Sequence, residues 1–317
     1  MIVYIRITND CNLHCSHCFN KNKITKINYE QLKTFLKEIN TTYSNNYFIL
    51  HGGEPMLLDI NLISKIMSDF PDNNWQISTN LCYKLTQDKI NIFKRAKKIT
   101  TSFDIGIRFK NIKNLILWYK NVKKISSIDE INLKLNICLS KSIIKHNPLD
   151  ILKFLDKLHI NSVDFFQIIQ TSEMNSAMIP NNHVIDQWMC DLYKANKKFP
   201  KIQCSNINQV KNKILQKNAQ YFCSNCCKST ITINPDGTII NCPGDNYFDT
   251  IGTIYDSINM IINNIDKKIK IKEKCFFCGH YKECQGWCRN ITWNGYTCAF
   301  PERLFKEIKK DYVSTFI

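Results

Sequence analysis

Arginine is scarce in this chain: five residues, against 38 lysines among 43 basic positions. A protein that reads bases or phosphates uses arginine heavily, because its planar fork matches both targets. The lysines are scattered among asparagine and isoleucine rather than gathered in one block. The formal charge of +16 therefore reads first as a basic surface. Its second reading is attraction to an acidic partner: a reductant protein, an acidic peptide or nucleic acid. Long apolar runs are missing as well. Nothing approaches a membrane span, and Arg6 interrupts an N-terminal stretch too short for a secretory signal. These absences predict a soluble, cytoplasmic chain with no membrane partner. In that compartment its 16 cysteines are expected to be thiols or metal ligands rather than disulfides.

The cysteines are unevenly placed. Three stand at Cys11, Cys15 and Cys18, and ten lie between Cys204 and Cys298. Such clustering argues for metal. The first group has C-x3-C-x2-C spacing just after a short apolar strand, Ile2 to Thr8, and lacks a fourth cysteine. A 4Fe-4S cluster is normally held by four, so three thiolates leave one corner for something other than protein. The plain alternative is zinc, completed by His14 or His17.

Beyond this loop the sequence alternates. Helices are predicted at Asn28–Asn40, Asp59–Phe70, Thr86–Ala96, Lys110–Lys124 and Pro148–Leu158. Strands are predicted at Tyr47–Leu50, Trp75–Asn80, Ile99–Ile105, Ile131–Ser140 and Ser162–Ile168. Short connections between unlike elements imply a parallel sheet with crossover helices, here of six strands, too few for a closed eight-stranded barrel. Three strands carry a polar face at period two: Gln76, Ser78 and Asn80; Thr100, Ser102 and Asp104; Lys134, Asn136, Cys138 and Ser140. Parallel strands covered on both sides are apolar nearly throughout, so this face is read as a lumen that meets cofactor and substrate. The second strand ends in His51-Gly52-Gly53-Glu54-Pro55, where glycine permits close backbone approach to a ligand. Arg108 is read as a carboxylate partner at the rim or a loop cap. Two further helices, Asn181–Lys197 and Ile207–Lys217, form a bridge without evident chemistry.

From Cys223 the cysteines resume: Cys227, nine residues, Gly237, four residues, Cys242; then Cys275-x2-Cys278-x5-Cys284-x3-Cys288; then Cys298. Asn234-Pro235-Asp236-Gly237 reads as a hairpin turn. It would place Cys227 and Cys242 on paired strands. Two structural zinc sites are the alternative reading. Cys82, Cys138, Cys190 and Cys204 fit no pattern and read as thiols, with Cys138 able to meet substrate from the polar face.

The cysteine triplet followed by Gly-Gly-Glu-Pro resembles the radical S-adenosylmethionine (radical SAM) enzymes, and the C-terminal pattern resembles their SPASM extension at every spacing. The resemblance implies a partial (β/α)6 parallel barrel over 1–170, a helical bridge over 171–220, and a cysteine-rich SPASM domain with a C-terminal helix over 221–317. It implies SAM and three 4Fe-4S clusters. Cys11, Cys15 and Cys18 would hold the SAM-binding cluster. Cys227, Cys242 and Cys288, with Cys223 or else Cys226, would hold the first auxiliary cluster, and Cys275, Cys278, Cys284 and Cys298 the second. His17 would lie against the adenine, Gly52, Gly53 and Glu54 against the amino end of SAM, and Ser102, Asp104 and Asn136 against its ribose and carboxylate.

The activity implied is reductive cleavage of SAM to a 5'-deoxyadenosyl radical that abstracts hydrogen from a peptide or protein, giving an oxidative, crosslinking or epimerising modification. A flavodoxin- or ferredoxin-type protein would be the electron donor. Two departures are informative. The first strand begins at Ile2, so the leader-binding domain of many crosslinking relatives is not expected. Pro243 follows Cys242 where sulfatase-maturing relatives carry an aspartate base, and Asp245 stands two residues away. A radical SAM dehydrogenase acting on a small sugar, nucleotide or cofactor precursor is the alternative. A non-enzymatic zinc protein binding nucleic acid through its lysines is the remote one. No acid or base is assigned.

Overall fold

The computed structural model describes residues 1–18, 27–169, 176–215, 228–245, 249–268, 272–291, 293 and 298–313. Its centre is a run of alternating strands and helices: β1 (Ile2–Thr8), α1 (Tyr29–Thr42), β2 (Tyr47–Gly52), α2 (Ile60–Asp69), β3 (Asn74–Ser78), α3 (Gln87–Arg95), β4 (Lys98–Ser102), α4 (Ile112–Ser126), β5 (Leu133–Leu139), α5 (Pro148–Lys157) and β6 (Ser162–Gln167). The polar composition supplies the helix starts. Asn28, Asp59, Thr86, Asn111 and Asn147 each accept a backbone N–H of the first turn, which satisfies donors that the helix itself cannot.

β1 to β6 pair in sequence order, all parallel. One face is apolar: Val3, Ile5, Phe48, Leu50, Ile77 and Ile99 are fully buried in one continuous core with the helix stripes, such as Leu32, Phe35, Leu36 and Ile39 of α1. The other face is polar and half-buried. Strand register aligns it in rows, Ser78–Thr100–Lys134 and Ser102–Asn136–Asp164. The Ser78 and Thr100 hydroxyls lie 2.8 Å apart.

The bridge consists of α6 (Asn182–Asn196), β7 (Gln203–Cys204) and α7 (Ser205–Ile214). β7 pairs parallel with β6, so the bridge contributes a strand that period and propensity did not suggest in two residues. The hairpin forms from β8 (Thr230–Ile233) and β9 (Thr238–Ile240), with Gly237 at φ +83° in the turn. β10 (Thr250–Thr253) extends it antiparallel. β8 also pairs parallel with β1, so the C-terminal hairpin continues the central sheet, in the order β10-β9-β8-β1-β2-β3-β4-β5-β6-β7. The sheet thus runs unbroken between regions that the sequence suggested as separate domains. An amphipathic helix α8 (Ile258–Lys268), two single turns α9 (Glu273–Phe276) and α10 (Tyr281–Cys284), and α11 (Glu302–Val313) complete the described elements. Asp186 of α6 accepts the N–H groups of Arg303 and Leu304, capping α11 from another helix. Among the described residues no helix is long and apolar enough to cross a membrane.

Candidate active site and cysteine centres

The first cysteine loop leaves the C-terminal end of β1. It is held from two sides: Ser16 N–H donates to Ile107 O at 3.0 Å, and Asn12 Nδ2 to Cys82 O at 2.6 Å. Cys11, Cys15 and Cys18 are all half-buried. Leu13 N–H and Asn80 Nδ2 point at Cys11 Sγ at 3.4 and 3.6 Å. Burial pushes the Cys11 and Cys15 thiols up, while Arg108 opposes the rise at Cys15. Ligation therefore displaces protons that these thiols otherwise keep. His14 is exposed and His17 is directed at Asp104, so neither completes a four-ligand set with the three sulfurs.

The glycines at the end of β2 have a definite reason. Gly52 has φ +124°, and a Cβ there would lie 2.4 Å from Thr8 O; at Gly53 it would lie 2.0 Å from Asp10 O. Their close approach is to the backbone entering the cysteine loop, which Gly53 N–H and Glu54 N–H clasp at Thr8 O and Asp10 O, 2.8 and 2.7 Å away. Glu54 is fully buried. Its carboxylate accepts from Met56 N–H (3.0 Å), Thr79 Oγ1 (2.8 Å) and Asn80 N–H (2.5 Å). Burial raises its pKa to about 7 against those donors. It is a clamp tying the end of β2 to the end of β3, with its oxygens already occupied by protein.

Asp104 behaves similarly. It is fully buried; Oδ1 accepts Cys138 N–H at 2.8 Å, and Oδ2 lies 3.1 Å from Arg108 Nε and 3.6 Å from His17 Nε2. Of the two readings of Arg108, carboxylate partner or loop cap, the side chain takes the first. Burial lowers the pKa of His17 despite Asp104, and its Nδ1 is buried without a hydrogen-bond partner. The ligand atoms of His17, Asp104 and Cys138 fall within 4.8 Å of one another, but the Arg108 guanidinium already supplies a cation there. Ser102 and Asn136, paired in register and half-buried, leave polar groups on the concave face.

The sequence reading missed two residues of this face. Arg6 is 1% exposed, donating from Nη1 to Asn234 Oδ1 at 3.0 Å and from Nη2 to Pro243 O at 2.7 Å. It ties β1 to the hairpin turn and to the residue after Cys242. His51 pairs in register with Arg6 and lies edge-on to Tyr4, 5.7 Å between centroids. Burial, then Arg6, holds its pKa down at about 3, and its Nδ1 has no partner. The period-two test applied to β3, β4 and β5 would have found them on β1 and β2.

In the C-terminal region Cys223, Cys226 and Cys227 lie outside the described residues. Cys242 and Cys288 are brought near each other: charge on Cys288 opposes ionisation of Cys242, whose thiol burial pushes up to about 12. Asp245 fastens their loops together. It accepts from Cys242 N–H at 3.0 Å, Arg289 Nη2 at 2.9 Å and Asn290 Nδ2 at 2.6 Å. A carboxylate so committed is a fastening, not a free base. The Cys275, Cys284 and Cys298 thiols are pushed up by burial first, and charge on the neighbouring cysteines of this set adds to the rise. Between Cys284 and Cys288 the chain takes positive φ at Gln285, Gly286 and Trp287. The two non-glycine residues there cost about 1–2 kcal/mol each, offset by packing and by Trp287 Nε1 donating to Gln167 Oε1 at 3.0 Å.

Zinc and iron–sulfur sites differ in the sulfur spacing they ask for. Among the described residues no three cysteine sulfurs lie within 4.8 Å of one another. Tetrahedral zinc with bonds of about 2.3 Å would hold its sulfurs about 3.8 Å apart. A cluster takes one thiolate per iron and spreads its ligands wider, and a sulfur spacing above this limit is compatible with it.

Comparison with known proteins agrees. A family model described as a 4Fe-4S single cluster domain matches residues 2–120. An uncharacterized protein of Methanocaldococcus jannaschii is 29% identical over 122 residues, 38% of this chain and 42% of that protein, so the match spans less than half of the relative. Among solved structures, anSMEcpe with bound AdoMet superposes with TM-score 0.82 at 15% identity, over 100% of this chain and 95% of that one. Streptococcus suis SuiB bound to S-adenosylmethionine gives TM-score 0.66 at 13% identity, over 94% and 77%. SuiB bound to its precursor peptide SuiA gives 0.63 at 15% identity, over 94% and 76%. Likeness at these identities establishes the fold: the chain shares with these structures a partial parallel α/β barrel, continued here into a cysteine-rich C-terminal region.

Proposed function

We propose that this protein is a radical SAM enzyme that modifies a peptide or protein. The observation that carries the proposal is the cysteine triplet: three half-buried thiols at C-x3-C-x2-C spacing, in the loop that leaves the C-terminal end of β1. A reduced cluster and SAM, bound together there, supply a hydrogen-abstracting radical.

The chain's own residues prepare the place. Gly52 and Gly53 hold the end of β2 against the cysteine loop, and their backbone is proposed to meet the amino end of SAM. Glu54 contributes by fixing β2 to β3. Ser102 and Asn136 would contact the ribose and carboxylate of SAM, with Asp104 and Arg108 setting the floor beneath them and His17 beside the adenine. Cys242 and Cys288, with Cys227 and Cys223 or Cys226, would hold one auxiliary cluster, and Cys275, Cys278, Cys284 and Cys298 the other. These would bind substrate or accept the electron that its oxidation releases. The electron donor would be a flavodoxin- or ferredoxin-type protein, in the cytoplasm. A peptide substrate is supported by shared architecture with structures of anSMEcpe holding Cp18Cys and Kp18Cys peptides and of SuiB holding SuiA.

The polar rows on the sheet, with Lys134 paired to Asp164, also favour a second reading: a small polar substrate such as a sugar or cofactor precursor. The deciding experiment counts iron, acid-labile sulfide and zinc in anaerobically reconstituted protein, then assays 5'-deoxyadenosine with and without candidate peptides. About twelve irons for three clusters, with 5'-deoxyadenosine formation and mass change in a peptide, is the expected result. No iron above background would overturn the enzyme reading.

A further inference from the structure

α4 buries Trp118, Asn121, Val122 and Ile125 against the core. Its other side is left in solvent, with Ile112 66%, Ile116 48% and Tyr119 40% exposed. At 100° per residue these three fall in a stripe about 60° wide, with Lys123 inside it and Lys120 at its edge. Single exposed apolar residues need no explanation, but a row of them marks a contact surface.

The charge around the row is one-sided. From Ile105 to Ile128 the sequence has Arg108 and five lysines, Lys110, Lys113, Lys120, Lys123 and Lys124, and no acidic residue. Among the described residues none of these five lysines forms an ion pair, whereas Lys33, Lys65, Lys94, Lys153, Lys194 and Lys197 all do. An apolar centre with a charged rim is the make-up of a protein interface. Here the rim calls for an acidic partner.

The position of the row is equally specific. The loop leading into α4 is the one that holds the first cysteine loop: Ser16 N–H and Oγ donate to Ile107 O at 3.0 and 3.2 Å, and Cys15 Sγ lies 3.9 Å from Arg108 O. Ile112 stands four positions beyond Arg108, at most about 14 Å even fully extended. A protein seated on α4 is therefore next to the Cys11–Cys15–Cys18 centre.

We propose that the Ile112–Ile116–Tyr119 row, with Lys113, Lys120 and Lys123, is the docking surface for an acidic one-electron carrier protein that reduces this centre. The inference rests on the radical SAM reading above. The lysines speed the encounter by steering an acidic carrier, and the apolar row lengthens its stay.

The test uses the full chain, reconstituted with iron and sulfide, and measures 5'-deoxyadenosine formed with dithionite or with flavodoxin reduced by its reductase and NADPH. The variants are Ile116→Glu/Tyr119→Glu, Lys120→Glu/Lys123→Glu, and Tyr255→Ser, which alters a 72% exposed aromatic elsewhere. For both α4 variants the dithionite-driven rate should match the wild type while the KM for flavodoxin rises about tenfold. The wild-type KM should rise with salt, and the lysine variant should lose much of that dependence. Unchanged KM in the α4 variants, no flavodoxin-driven turnover in a wild type active with dithionite, or the effect appearing at Tyr255→Ser would each overturn the surface. No dithionite-driven 5'-deoxyadenosine in the wild type would sink the radical SAM reading, and this proposal with it.

Discussion

The two cysteine regions solve one problem in different ways. At the N-terminus a regular sheet holds the ligands: the triplet follows β1, and the exits of β1, β2 and β3 are joined around it by Gly53, Glu54 and Asn80 through backbone and buried polar hydrogen bonds. At the C-terminus short turns hold them, with backbone in the left-handed region at Gln285 and Trp287 and polar fastenings such as Asp245–Arg289. Regular structure supplies hydrogen bonds and packing without metal. A turn-rich region buries less and depends more on its metal for order. On the proposed function, the first centre is built into the fold, and the second would be completed by what it binds.

The sharpest break of this contrast is Cys15→Ala. It should abolish 5'-deoxyadenosine formation and lower iron from about twelve to about eight per chain, leaving the C-terminal clusters intact. Iron analysis and chromatography of the products check both points. Next in size, Cys278→Ala should lose a similar amount of iron yet retain SAM cleavage while product on a peptide substrate disappears; retained product would show that the second centre is dispensable.

Arg6→Met probes the joint between the regions. Removing the guanidinium strands Asn234 Oδ1 and Pro243 O in a buried site, and should cost about 1–3 kcal/mol, read by chemical denaturation of the metal-free protein. The smallest effect is on pH. The metal-free thiols of Cys11 and Cys15 are raised by burial, and Cys242 stands at about 12. All are held protonated at neutral pH, so ligation releases protons and strengthens as pH rises. Cluster uptake at limiting iron should therefore increase between about pH 7 and 9. A flat profile would mean that the thiols are already ionised.

Much of the architecture was legible in the chain. The alternation of elements matched the observed strands and helices to within a few residues, because amphipathic stripes such as Leu32–Phe35–Leu36–Ile39 and strand faces such as Gln76–Ser78 are set by local period. Cysteine spacing marked the groups proposed as ligands. The committed roles of Glu54, Asp104 and Asp245 were not legible. Each is a carboxylate in a suggestive motif, and each spends its oxygens on partners up to 45 residues away. Arg6, read only as an interruption of an apolar run, binds groups 228 and 237 residues away.

The sequence by itself determined the period of each element, the order of strands β1 to β6 and the grouping of thiols, since these follow from neighbours along the chain. Only the tertiary structure decided that β8 joins β1, that Gly52 and Gly53 lie against the backbone entering the cysteine loop, and which polar side chains are already satisfied by protein. Those are matters of pairing between segments far apart in sequence, where many partners are chemically equivalent and packing selects one.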